Sequence, residues 1–104
     1  MVPPPSAFKW IFRSFRSIEY NMSKNAEVRD DRHFDFAYVS RIFENYVLER
    51  RDTRHTREIR YQAIGEISGE IFFVVYTVRS GICRIITAWR AERYERELWH
   101  DFAR

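Results

Sequence analysis

Apolar and polar positions change period several times along this chain, and each change marks an element. Ile18-Glu19-Tyr20 alternates once, enough for a short strand. Asn21 or Ser23 is a suitable N-cap for a helix over residues 24 to about 32, whose few apolar positions place it on the surface. Asp35 caps a second helix, residues 36 to about 46. There Phe36, Val39, Ile42, Phe43 and Tyr46 recur at three- and four-residue spacing and form one buried stripe. Residues 47–52 read as a short strand at a sheet edge. Over residues 57–67 the alternation is strict: Ile59, Tyr61, Ala63 and Ile67 on one face, Glu58, Arg60, Gln62 and Glu66 on the other. Ser68-Gly69 turns the chain into residues 70–78, a continuous apolar run suited to a central strand. Ser80-Gly81 turns it again into residues 82–89. A last helix, from about 91 to 102, carries Tyr94, Leu98 and Phe102 on its inner side.

Consecutive strands joined by two-residue turns pair antiparallel. The order therefore predicts an α+β fold: an antiparallel meander sheet of three to five strands, two N-terminal helices and a C-terminal helix, with the helices on one face. Residues 18–104 form one domain and residues 1–17 an N-terminal extension. In that extension Pro3, Pro4 and Pro5 favour an extended polyproline start. Residues 8–15 fit either an edge strand or amphipathic turn packing Trp10, Ile11 and Phe15, or a disordered tail.

Composition narrows the class. The 104 residues include nine Phe, six Tyr and three Trp, so the chain is globular. One cysteine, Cys83, excludes an internal disulfide, fits a reducing compartment and reads as a small buried hydrophobe between isoleucines. No apolar run in residues 2–17 approaches a secretory or membrane-spanning length. The net charge of +3 belongs to the extension, where Lys9, Arg13 and Arg16 have no acid; the remaining residues hold 15 basic and 15 acidic side chains. A nucleic-acid role must therefore rest on clustering. Residues 49–60 hold five arginines against three acids, and residues 79–96 hold five against two.

Three dispersed histidines, His33, His55 and His100, show no ligand spacing, so no metal site is expected. The three glycines form no phosphate loop, so no nucleotide cofactor is expected either. What remains is a charged sheet face. Residues 57–67 offer Glu58 and Arg60 outward; residues 82–89 offer Arg84 on one parity and Trp89 on the other, with Arg90 at the exit. RNA cleavage needs a base for the 2′-hydroxyl, an acid for the leaving 5′-oxygen and cations for the phosphate. Arginine supplies the cations, an aromatic ring can stack a base, and Glu58 is the nominated base. The plainer alternative is a lattice of Arg–Glu pairs that solvates the sheet.

The segments Lys24-Asn25-Ala26-Glu27, Asp35-Phe36-Ala37, Asp52-Thr53-Arg54 and Glu58-Ile59-Arg60 stand in this order along the chain. Val74-Val75-Tyr76-Thr77-Val78-Arg79 and Arg84-Ile85-Ile86-Thr87-Ala88-Trp89-Arg90-Ala91 follow. Together, over residues 18–102, they resemble the BrnT family of toxins within the RelE-like ribonuclease group. The resemblance implies a RelE-like fold and a cytoplasmic, metal-independent endoribonuclease that arrests growth. It also implies a ribbon-helix-helix antitoxin as partner, with operator DNA met only through that antitoxin. Glu58, Arg60, Arg84 and Arg90 then become catalytic candidates, and Arg79, Tyr76, Trp89 and Arg93 substrate-binding ones. Two departures stand out. Members carry glycine after the first helix, where His33 predicts a differently built connection, and a basic residue where Trp89 stands. A catalytically weak, antitoxin-binding module is the alternative, and a stand-alone α+β protein with a charged surface is a third reading. An exposed aromatic groove would also suit a homodimer.

Overall fold

The computed structural model describes residues 7–54 and 57–103, so the polyproline expectation for Pro3–Pro5 lies outside the described residues. Six strands form one sheet in the order β1-β3-β4-β5-β6-β2. They are β1 (Lys9–Ile11), β2 (Ser17–Tyr20), β3 (Val47–Asp52), β4 (Arg60–Ile67), β5 (Glu70–Arg79) and β6 (Ile82–Arg90). The helices are α1 (Met22–Arg32), α2 (Phe36–Val39) continued by a 3₁₀ helix (Ser40–Glu44), and α3 (Arg93–Phe102).

The mixed α+β class is as expected, but the sheet has six strands rather than three to five. The short strand expected at residues 18–20 is present as β2, and the strand beyond the expected range is β1, from residues assigned to the N-terminal extension. β1 pairs antiparallel with β3, so Val47–Asp52 is interior rather than an edge. β2 pairs parallel with β6, so the sheet is not a pure antiparallel meander. Phe12–Arg16 links these two outer strands. On the way Phe15 packs edge-on against Phe43 and Tyr76, and Arg13 forms a two-pronged bond to the buried Glu49 at 2.9 and 3.0 Å.

Local signals explain the elements. Asn21 caps α1 by accepting the Lys24 N–H at 2.9 Å, and Asp35 caps α2 by accepting from Tyr38 at 2.7 Å. The buried Asn25 side chain accepts the Phe36 N–H at 2.7 Å, tying the two helices together. α1 nevertheless ends as a glycine-bearing helix would. His33 adopts the left-handed conformation (φ 62°, ψ 34°) and its N–H bonds to the Arg29 carbonyl, so the expected change of connection does not occur. The second helix tightens to 3₁₀ winding at Ser40, whose hydroxyl donates to Ala37. Val39 and Ile42 are then fully buried, and Tyr46, expected on the buried stripe, falls past the end and stands 51% exposed. Ser68-Gly69 and Ser80-Gly81 make the two tight hairpin turns, with all four residues at positive φ.

The sheet is covered on both faces, which corrects the expectation of helices on one. Val28, Phe36, Val39, Ile42, Ala63, Phe72, Val74, Tyr76 and Ile85 form the core under α1 and α2. Gly65 lets the 3₁₀ helix close down, since a Cβ there would sit 2.5 Å from Ile42 Cβ. Leu48, Ile64, Ile71, Phe73 and Val75 face the other way and pack under α3 with Trp99. Side chains as large as Phe72 and Phe36, both fully buried, each contribute roughly 1.5–3 kcal/mol of transfer free energy. α3 starts two residues later than expected, at a capping box between Glu92 and Glu95. Its inner side is Glu95, Leu98 and Trp99, while Tyr94 and Phe102 are about half exposed.

Candidate functional site

On the α3 face, α3 covers only the end of the sheet near the β4–β5 turn. The opposite end carries a row of polar side chains set by strand register. Asp52 on β3 pairs with Arg60 on β4. One step beyond the last β4–β5 pair, Tyr61 with Tyr76, Arg60 comes level with Thr77. Thr77 pairs with Arg84 on β6, and Arg84 with Glu19 on β2. The order across five strands is thus carboxylate, guanidinium, hydroxyl, guanidinium, carboxylate. At roughly 4.8 Å per strand the Arg60 and Arg84 backbones lie on the order of 10 Å apart.

Each member is held. Arg60 Nε donates to Glu58 Oε1 at 2.9 Å, Arg84 Nη1 donates to Glu19 Oε1 at 3.2 Å, and Thr77 Oγ1 donates to the Ile59 carbonyl at 2.8 Å. A cleft of about 230 Å³ lies among Glu19, Glu58, Thr77, Arg79, Ile82 and Arg84. A second hollow of about 250 Å³ is formed by residues 50–54 and Gln62. In that hollow the buried Asp52 accepts from the Arg54 backbone N–H, Nε and Nη2 at 3.0, 2.9 and 2.8 Å. The Arg54 guanidinium holds Asp52 well below the usual carboxylate range, outweighing the burial that pushes it up. Arg50 Nε donates to Gln62 at 2.7 Å, and its guanidinium lies over the Phe8 ring.

Of the eight residues singled out from the sequence, the structure brings together Glu58, Arg60, Arg79 and Arg84. The other four lie elsewhere, and the expected single patch is corrected accordingly. Tyr76 is fully buried between Phe15, Phe43 and Tyr61, with no face open to a base. Trp89 shares the α3 face with Arg84 rather than taking the other parity. It is stacked on Phe73 at 4.6 Å and donates to Glu95 at 3.1 Å, both under α3. Arg90 is on the opposite face, bonded to Glu70 and the Arg32 carbonyl and lying over the Phe34 and Phe72 rings. Arg93 is on the exposed side of α3, 3.3 Å from Glu97.

A bulge causes the split. Tyr76 pairs with Ile85 but Val75 with Thr87, so Ile86 is an additional residue on β6 and every side chain beyond it changes face. Arg84 and Arg90, six apart, would otherwise have shared one. Arg90 therefore lines a different and wider cleft, with Arg29, His33, Phe34, Asp35, Tyr38 and Glu70.

Sequence reasoning passed over Glu19, Thr77, Asp52 and Arg54 as site residues. Thr77, Asp52 and Arg54 stood inside motifs already noticed. Glu19 had only the alternation of a three-residue strand to mark it. Burial pushes the Cys83 thiol up to about 12, which leaves it unionised at neutral pH. Among the described residues no group of three or more His, Cys, Asp or Glu side chains is arranged to hold a metal ion, and no helix is long and apolar enough to cross a membrane.

Residues 20–95 match the family model described as "Ribonuclease toxin, BrnT, of type II toxin-antitoxin system". The matched segment contains Glu58, Arg60, Arg79 and Arg84 and leaves out β1 and Glu19. No curated protein and no solved structure matched the chain.

Proposed function

The chain belongs to the BrnT family of ribonuclease toxins of type II toxin–antitoxin systems, and from that premise we propose that it is a metal-independent endoribonuclease acting through the open end of the α3 face. The observation that carries this reading is the cross-strand row, with Arg60 and Arg84 on either side of Thr77 and Arg79 beside them. Two guanidiniums on rigid strands are suited to a phosphodiester: they bind it and stabilise the charge that develops on its oxygens during cleavage. Glu58, 2.9 Å from Arg60, is the base for the 2′-hydroxyl. Arg90 acts instead as a clasp between β6 and the end of α1. The RelE-like classification, a cytoplasmic site of action, growth arrest, and neutralisation by a ribbon-helix-helix antitoxin that alone contacts operator DNA complete the proposal.

One observation favours a second reading. Both guanidiniums of the row carry carboxylate partners with which a substrate phosphate must compete, and the surface would also serve as a protein-binding module of low activity.

Incubating the purified protein with RNA in the presence of a chelator tests the proposal. The parent is expected to cleave, and Arg60→Ala and Arg84→Ala each to lose about a hundredfold in rate with an unchanged melting temperature. Expression of the same variants is expected to permit growth that the parent arrests. Parent-like rates for both variants would place the chemistry elsewhere. Intact RNA with the parent, together with tight antitoxin binding, would favour the binding module.

A further inference from the structure

The cleft contains a second carboxylate on the side away from Glu58. Glu19 comes from β2, where parallel pairing with β6 sets it beside Arg84, and its side chain is 52% exposed. Glu58 enters from the segment just before β4 and is less exposed. Thr77, Arg79 and Arg84 lie between the two. The charged groups facing Glu19 in this cleft are Arg84, Arg79 and Glu58.

In an in-line displacement at phosphorus the attacking and leaving oxygens stand on opposite sides of the phosphate. Two proton-transfer groups are therefore needed, one on each side of the guanidiniums that hold it. Resting on the ribonuclease reading above, we infer that Glu19 is the second of these, the general acid for the leaving 5′-oxygen.

The two pairs differ in a way that assigns the roles. Arg84–Glu19 is the longer and more exposed, at 3.2 Å against 2.9 Å for Arg60–Glu58, so it is the pair a phosphate opens first. Once Arg84 turns to the phosphate, Glu19 loses its cation and gains an anionic neighbour. The Glu19 carboxyl is then released on the leaving-group side of the phosphate, across the cleft from Glu58. Glu58 keeps its 2.9 Å bond to Arg60. In the step itself the Glu58 carboxylate takes the 2′-hydroxyl proton while the O2′ electron pair forms the O2′–P bond. The P–O5′ bond breaks with its electron pair going to O5′, which receives the Glu19 proton. A 2′,3′-cyclic phosphate and a 5′-hydroxyl result, and proton exchange with solvent restores both carboxyls.

The test compares the full-length protein with Glu19→Gln on two substrates under single-turnover conditions. One is ordinary RNA. The other has sulfur in place of the bridging 5′-oxygen at the scissile linkage, so its thiolate departs without a proton. Glu19→Gln is expected to slow cleavage of ordinary RNA by about a hundredfold and to abolish the alkaline limb of the pH–rate profile. On the sulfur-bridged RNA it is expected to match the parent within about threefold. Equal slowing on both substrates, or an alkaline limb retained by the variant, would mean that Glu19 only positions Arg84 and would overturn the assignment. Parent protein that cleaves neither substrate would instead overturn the ribonuclease reading itself.

Discussion

Arg84 and Arg90 stand near opposite ends of β6 and on opposite faces of the sheet. Arg84 has one carboxylate partner, is about half exposed and borders a cleft with Arg79 and Thr77. Arg90 is similarly exposed, yet its guanidinium is engaged by Glu70, by the Arg32 carbonyl and by the Phe34 and Phe72 rings. Arg32 in turn donates to the Ala88 carbonyl at 2.9 Å, so α1 and β6 are laced together from both sides. Charge and exposure are nearly the same in the two cases. What separates the arginine proposed to bind phosphate from the one proposed as a clasp is how many protein acceptors already surround it. A phosphate can take a guanidinium from one carboxylate far more readily than from a carboxylate, a carbonyl and two ring faces together.

The contrast can be broken by exchanging the expected consequences. If Arg90 is a clasp, Arg90→Ala should lower unfolding free energy by about 1–2 kcal/mol while the folded protein cleaves RNA at the parent rate. Arg84→Ala should do the reverse, with the hundredfold rate loss given above. Urea titrations beside cleavage rates measure both, and a large rate loss in Arg90→Ala at unchanged stability would bring the second face into the site.

Arg13 sharpens the comparison from the core side. Its two bonds to Glu49, a carboxylate with 7% exposure, and its position over the Tyr61 ring make it the closest analogue of Arg90. Arg13→Ala leaves that carboxylate unpaired, with an expected loss of about 2–3 kcal/mol. Adding Glu49→Gln should recover part of the loss, and a double-mutant cycle gives the coupling. A melting temperature unmoved by Arg13→Ala would show the N-terminal segment to be loosely attached. The smallest effect belongs to Tyr76, whose hydroxyl is buried without a hydrogen-bond partner among the described residues. Tyr76→Phe should leave stability unchanged or raise it by up to about 1 kcal/mol. A clear loss in a thermal melt would reveal a partner for that hydroxyl.

Which parts of this molecule were legible in its sequence follows from how far each determinant reaches. The caps at Asn21 and Asp35 and the Ser-Gly hairpin turns act over two to four residues. They predicted α1, the start of α2 and the β4-β5-β6 meander closely. Arg60 and Arg84 could be picked out because alternation on a strand is equally local. The determinants that were missed are long-range or interrupt a period. The strand at residues 18–20 was legible but its parallel pairing with β6 was not, and β1, left open between an edge strand and a tail, is a strand only because β3 receives it. The inserted Ile86 resets the alternation, which no count of apolar positions can see before the neighbouring strand is known. His33 took the left-handed position because the helix end needed a residue there, and the cap geometry prevailed over the preference for glycine.

The parallel pairing of β2 with β6 has a consequence for the order of events during synthesis. Ser17–Tyr20 leaves the ribosome more than sixty residues before Ile82–Arg90 does, and until then Glu19 has no Arg84 to meet. A contact separated so far along the chain forms late, after the intervening hairpins have closed. The nascent polypeptide thus carries no assembled cleft until β6 has been made, and Glu19 and Arg84 first come side by side when that last strand joins the sheet.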